Sequence, residues 1–312
     1  MEEIKKIIMS CRVGSHLYGT ADENSDVDYV SIFIPQEEYI VGMKRVDVIK
    51  RSTGNDHERN TKDDVDHVYY SLHKFLQLLL DNNPNIIELL FINNENLLKL
   101  EPEYVELMDN YNRFVSKKCY YTFCGYAFSQ KKYLITKKER YDSLKRALDY
   151  LNTLDLYERG ITEYEASKLN SILKFYKGMR GNTEHFHKGM PLMFIYSRIR
   201  TEFESYGHRV KQLSGPLENS FDRKFGYHLI RLMYEGIELL KNGRLEFPLS
   251  GKVKEQINAV KYGNMTLTEL MKLYDEYKRE IDYLFKSSKI RAKADFEWAN
   301  QYLIKVYKQS LL

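Results

Sequence analysis

Cysteine is scarce and unpaired in this sequence: Cys11, Cys119 and Cys124 are its three, and no CxxC joins any two of them. That pattern suggests neither a disulfide framework nor a cysteine zinc site. Long apolar runs are missing as well. Residues 86–92 form one of the longest, yet Glu88 interrupts it, and it falls far short of the roughly 20 residues a membrane span needs. The opening MEEIKKIIMSCR lacks the apolar core and small-residue cleavage site of a secretory signal, so a cytoplasmic protein with no membrane partner is expected. Neither a Walker A lysine motif nor GxGxxG occurs, which removes the P-loop and Rossmann modes of nucleotide binding. Internal repeats and low-complexity segments are also absent.

What is present is an ordinary globular composition with an uneven charge. The 312 residues carry a net +4, a length that favours two domains over a single core. Residues 1–115 hold 12 Lys/Arg against 21 Asp/Glu, a net of −9, and residues 116–312 hold 36 against 23, a net of +13. An acidic first part suited to cations and a basic second part suited to a polyanion is one reading. A lysine-rich helical region with solvated faces is the other.

Hydrophobic periodicity divides the chain in the same place. Ile4–Val13 reads as a strand ending at Gly14. Residues 27–34 are β-branched and aromatic and are stopped by Pro35, and residues 65–70 give a third strand. Residues 50–62 contain nothing apolar and read as an exposed polar loop, with His57, Glu58 and Arg59 inside it. Ser71 caps a helix whose Leu72, Phe75, Leu76 and Leu79 recur at helical spacing up to the Asn-Asn-Pro-Asn at 82–85. From about residue 115 the pattern is helical almost throughout, over 120–134, 140–156, 163–176, 223–240 and 267–285. Residues 178–191 and 213–216 are the irregular stretches. The reading is a small α/β domain over 1–115 followed by a helical, basic domain over 116–312.

The chemistry gathers near the N-terminus, in VGSHLYGTADENSDVDYVSIFIP. On a strand, residues two apart share a face, so Asp26 and Asp28 project side by side while Val27 faces away. Two carboxylates held together at the head of an apolar strand repel unless a cation sits between them, and Mg²⁺ takes one or two carboxylates plus phosphate oxygens. Gly14-Ser15 supplies the complement: a glycine that lets backbone approach a phosphate closely, then N–H groups and a hydroxyl that donate to it. Asp66, on the next strand, is the candidate third carboxylate of a two-metal site, with Asp64 as the alternative.

These segments resemble the signature of polymerase-beta-like nucleotidyltransferases, carried by GSHLYG at 14–19 and SDVDYVSIFIP at 25–35. SLHKFLQLLLDNNPNIIELLF at 71–91, SKKCYYTFCGYAFSQ at 116–130 and KFGYHLIRLMYEGIELLKNGRLEFP at 224–248 narrow the likeness to the branch named for RNA repair. The resemblance is colinear over about residues 8–130 and 220–250. It implies an α+β fold, with a small mixed-sheet nucleotidyltransferase domain followed by an α-helical one. It also implies a nucleoside triphosphate donor and a divalent metal, Mg²⁺ or Mn²⁺, as two ions. Gly14 and Ser15 carry over as phosphate contacts and Asp26 and Asp28 as metal ligands, with Asp66 beside them on a looser local match. A link to RNA end repair is implied by the family name.

Other residues have two readings. Lys224, His228, Arg231 and Glu235 fall at i, i+4, i+7 and i+11 on one helix face. Facing a cleft, Lys224 and Arg231 would hold triphosphate or nucleic-acid phosphates, with His228 beside them; otherwise the face is simply solvated. His16 either contacts phosphate or fills the turn. Glu88, a charge inside an apolar run, is either a buried cap or a site-support residue. Lysines at 117, 118, 131 and 132 enclose several aromatic rings, an arrangement that suits single-stranded RNA, although core packing accounts better for most of the rings.

The function expected is transfer of a nucleoside monophosphate from NTP to a hydroxyl, with an RNA 3′ end as the acceptor that the basic domain favours. The alternatives are nucleotidylylation (AMPylation) of a protein partner or a small molecule, as an antitoxin-type regulator would perform, and an inactive fold that only binds RNA. The intact Asp26/Asp28 pair argues against the last.

Overall fold

Val13 and Gly14 mark the point where an extended apolar strand gives way to a tight helical turn, and the architecture of the N-terminal half follows from that change. A computed structural model describes residues 2–23, 25–52, 65–156, 159–173, 186–210 and 221–312. Most of the polar loop at 50–62, Asp64, much of 178–191 and all of 213–216 lie outside the described residues.

The strands are β1 (Ile4–Val13), β2 (Val27–Pro35), β3 (Val48–Ser52), β4 (Val65–Ser71) and β5 (Leu97–Leu100). The first seven helices are α1 (Ser15–Tyr18), α2 (Glu37–Ile40), α3 (Leu72–Leu80), α4 (Pro84–Ile87), α5 (Pro102–Asp109), α6 (Lys118–Leu151) and α7 (Glu163–Ile172). They are followed by α8 (Leu192–Val210), α9 (Arg223–Asn242), α10 (Gly251–Tyr262), α11 (Leu267–Ser287) and α12 (Phe296–Leu311). The sheet order is β3-β4-β2-β1-β5. β2 and β4 pair in parallel and the other neighbours are antiparallel, so the sheet is mixed and the fold is α+β, as expected.

Local chemistry explains the elements nearest the site. Ser71 ends β4 and caps α3, its Oγ accepting the Lys74 N–H at 3.3 Å. The apolar face of α3 buries Leu72, Phe75, Leu76 and Leu79, and the helix packs on β2 and β4. Pro84 opens α4, where its missing N–H costs nothing. The run after it turns into a 3₁₀ segment, Glu88–Phe91. Two expectations change. Residues 50–52 of the supposed loop belong to β3, and the helices read at 120–134 and 140–156 are one helix, α6.

The chain forms two compact units that interleave along the sequence. Unit 1 comprises residues Met1–Tyr126, Arg231–Asn258 and Tyr274–Leu312, and unit 2 comprises Ala127–Ile230 and Ala259–Leu273. This partition differs from a single cut at residue 115, because the dividing line runs through α6, α9, α10 and α11. Unit 1 contains the whole sheet. Unit 2 is helical around a core that includes Leu144, Leu151, Leu169, Leu192 and Ile195. Counted over these units the charge remains uneven: unit 2 has 21 Lys/Arg against 13 Asp/Glu, and unit 1 has 27 against 31.

Candidate active site

The residues singled out around β2 meet through strand register. β1 and β2 pair Val13 with Asp28, β2 and β4 pair Asp28 with Asp66, and β4 and β3 pair Asp66 with Ser52. Residues directly opposite one another across a sheet share a face. One transverse row therefore reads Val13, Asp28, Asp66, Ser52, with the two carboxylates adjacent on neighbouring parallel strands. Both are half-buried. Asp26 lies just outside β2 and is exposed, following a tight turn in which the Ser25 N–H donates to the Asp22 carbonyl at 3.0 Å. Among the described residues, no group of three His, Cys, Asp or Glu side chains is already gathered closely enough to hold a metal ion.

Gly14 brings the turn to this row. Its φ of +68° and ψ of −141° lie in a region that side chains with a Cβ rarely enter. A Cβ built there would stand 3.2 Å from Asp28 Oδ2. Ser15 follows directly and begins α1, whose Tyr18 N–H donates to the Gly14 carbonyl at 3.1 Å. His16 in the same turn has its Nε2 shielded from solvent and without a hydrogen-bond partner. Gly14→Ala is accordingly expected to cost about 1–3 kcal/mol of stability from backbone strain and to push against Asp28. Chemical denaturation with an activity assay on the same preparation checks both effects.

Behind the carboxylates, on the opposite face, a polar chain ties three strands together. Ser31 Oγ lies 2.9 Å from Ser10 Oγ and 2.8 Å from His67 Nε2, and His67 Nδ1 lies 2.9 Å from the Tyr69 hydroxyl. The His67 ring stacks on Tyr69 at 4.0 Å. Burial, and then the charge of Arg51, lower the pKa of His67 and favour a neutral imidazole. This chain links β1, β2 and β4, the strands whose ends carry Gly14, Asp28 and Asp66.

The helix-face candidates separate. Lys224 is exposed near the start of α9, and His228 is half-buried with its ring at 82° to that of Tyr227; both are grouped with unit 2. Arg231 requires a correction. It is not an open phosphate contact: it is 2% exposed in the core of unit 1. Its Nη1 lies 3.1 Å from Glu88 Oε2 and 3.0 Å from each carboxylate oxygen of Glu235, and its guanidinium carbon sits 4.5 Å from the Tyr18 ring centroid. A guanidinium committed to two buried carboxylates has no open side from which to meet a nucleotide. Glu88 is thereby explained as the buried partner of Arg231 and of the Tyr18 hydroxyl, which donates to it at 2.8 Å.

Burial dominates the electrostatics of this cluster. It pushes the Glu235 carboxyl up to about 8 and raises that of Glu88, while Arg231 pulls both back by less. A carboxyl raised in the folded state binds its proton more tightly there than in the unfolded chain. The stability it contributes is present at low pH and is lost as pH rises through about 8. Melting temperature is expected to fall over that range, and Glu235→Gln to flatten the fall, which a pH series of thermal melts measures.

Periodicity also missed Lys254, whose Nζ lies 3.6 Å from where a Cβ on Gly19 would stand, beside the end of α1. Nothing in the local pattern of α10 distinguishes this lysine from its neighbours.

Comparison with known proteins agrees with the N-terminal geometry. The chain is 24% identical over 334 aligned positions to an uncharacterized 38.9 kDa protein from the nrdC-mobD intergenic region of Enterobacteria phage T4, covering 98% of each. A solved structure of a nucleotidyltransferase-like protein from Exiguobacterium sibiricum is 12% identical, with 98% of this chain and 75% of that one covered. Its TM-score of 0.25 is too low to bear on the fold. A family model matches residues 1–156, half of the chain, and the matched part contains Gly14, Ser15, Asp26, Asp28 and Asp66. The chain belongs to the RNA repair pathway DNA polymerase beta family (RlaP), and so to the nucleotidyltransferases in the general sense.

Proposed function

We propose that the chain is a divalent-metal-dependent enzyme that moves a nucleoside monophosphate from a nucleoside triphosphate to an acceptor hydroxyl, with an RNA 3′ end as the acceptor. The observation that carries this reading is the register of Asp28 and Asp66 on one sheet face, with Gly14 against Asp28. The residues fit the ions that the family implies. Carboxylate oxygens are hard donors suited to Mg²⁺ or Mn²⁺. Gly14 leaves open the volume a Cβ would fill, and His16 Nε2 is a shielded polar atom without a partner.

In this reading Asp26, Asp28 and Asp66 hold two cations. Divalent cations bound there would supply Lewis acidity toward the acceptor hydroxyl and the triphosphate. The chain's own contribution is placement. The backbone at Gly14 and Ser15 and the Ser15 hydroxyl donate to phosphate oxygens. Strand register fixes the two carboxylates relative to that turn. Lys254, beside the end of α1, brings the ammonium that buried Arg231 cannot. RNA as acceptor is supported by the basic composition of unit 2, including exposed Lys224, since neutralised phosphates dominate affinity for nucleic acid.

The test is incubation with each labelled nucleoside triphosphate and Mg²⁺, offering RNA, DNA and protein acceptors. Label on an RNA 3′ end is expected. Label on protein alone would retain the chemistry and overturn the acceptor, and no transfer under any pairing would overturn the activity.

A further inference from the structure

Tyr18 joins the Gly14 turn to the buried cluster around Arg231. It is the last residue of α1, and its N–H holds the carbonyl of Gly14, the residue that approaches Asp28. Its ring is 4% exposed and its hydroxyl ends in the buried cluster, donating to Glu88, which Arg231 also binds. The Phe247 ring lies 5.9 Å from the Tyr18 ring, and the Leu249 N–H donates to the Tyr18 carbonyl at 3.2 Å. Pro248 is so near Gly19 that a Cβ there would stand 2.6 Å from it.

A helix of four residues cannot hold itself, because nucleating one turn costs more than its few internal bonds return. The place of α1 is therefore set by what grips it, and Tyr18 is the side chain held by both the buried charge pair and the segment 247–249. We propose that Tyr18 is a positioning residue for nucleotidyl transfer. The Glu88–Arg231 pair and the segment 247–249 fix Tyr18, and Tyr18 fixes the height of Gly14 and Ser15 beside Asp28. The inference rests on the reading of that site given above. Tyr18 touches no reacting group; it acts through the turn.

Tyr18→Phe keeps the ring, its packing and its contact with Arg231, and deletes only the hydroxyl. KM for the triphosphate that the wild type uses best is expected to rise about tenfold, the scale of a lost hydrogen bond to a charged group, with kcat changed less. The assay is run well below the melting temperature of each variant, where mere destabilisation leaves KM unmoved. Phe247→Ala loosens the same residue through a different contact and should shift KM in the same direction, a second route if Tyr18→Phe folds poorly. Unchanged KM in a folded variant overturns the positioning role while leaving the site intact. A wild type that neither binds nor turns over any triphosphate overturns the site reading and this inference with it.

Discussion

Asp28→Asn is expected to reduce nucleotidyl transfer by about a thousandfold or more, equivalent to roughly 4 kcal/mol of lost transition-state stabilisation, without unfolding the chain. The substitution keeps the size of a half-buried side chain at the start of β2 and removes its charge. Asp28 is the residue on which the site converges: it is paired with Asp66 across the parallel ladder and lies against Gly14 across the antiparallel one. An amide in its place retains shape but loses the anionic oxygen that a hard cation requires. Without metal, the melting temperature should stay level or rise, because one of two neighbouring like charges has gone. Turnover with labelled triphosphate, measured beside a thermal melt with and without Mg²⁺, decides the matter. Near-normal turnover in a folded Asp28→Asn would end the assignment of this row as the reaction centre.

The largest effect on stability is expected at Arg231. Replacing it with Met keeps much of the volume and removes the cation that pairs with both Glu88 and Glu235, which are buried. Breaking a buried pair from one side costs about 3–5 kcal/mol, because the remaining charge is left in the interior without its counter-charge. Glu88 should then hold its proton more tightly, as Glu235, raised to about 8, already does, so Arg231→Met should lose least at acidic pH and most at alkaline pH. Replacing Glu88 and Glu235 as well with apolar residues of similar size should recover most of the loss, since a well-packed apolar trio is often as stable as the charged one. Urea titrations at two pH values measure each of these. An Arg231→Met variant as stable as the wild type at neutral pH would show that the cluster is not a stabilising charge network.

These two sites also show how far the sequence could be read. The position of Asp28 was legible because its signal is local: a carboxylate alternation at the head of a β-branched strand, behind a Gly-Ser turn. β1 was legible for the same reason, its ten residues carrying Ile4, Ile7, Ile8, Met9 and Val13 up to a glycine. Arg231 was not, because its burial depends on Glu88, 143 residues away along the chain. Helical spacing placed Lys224, His228, Arg231 and Glu235 on one stripe but could not show that the stripe passes from an exposed end into a core. The signal that was available lay at the other partner: a glutamate inside an apolar run implies a hidden cation somewhere. The short strands β3 and β5 escaped notice because edge strands of five and four residues carry too little alternation to stand out from polar loops.

The buried triad has one more consequence. Glu88 lies within residues 1–156, the stretch that the family model matches, and its counter-charge Arg231 lies outside it. The matched half is thus not an exchangeable cassette. Severed from the rest, or grafted by recombination onto a different C-terminal half, it would carry an acid in its interior with only the Tyr18 hydroxyl to answer it. A C-terminal half grafted onto it would have to bring its own cation to Glu88.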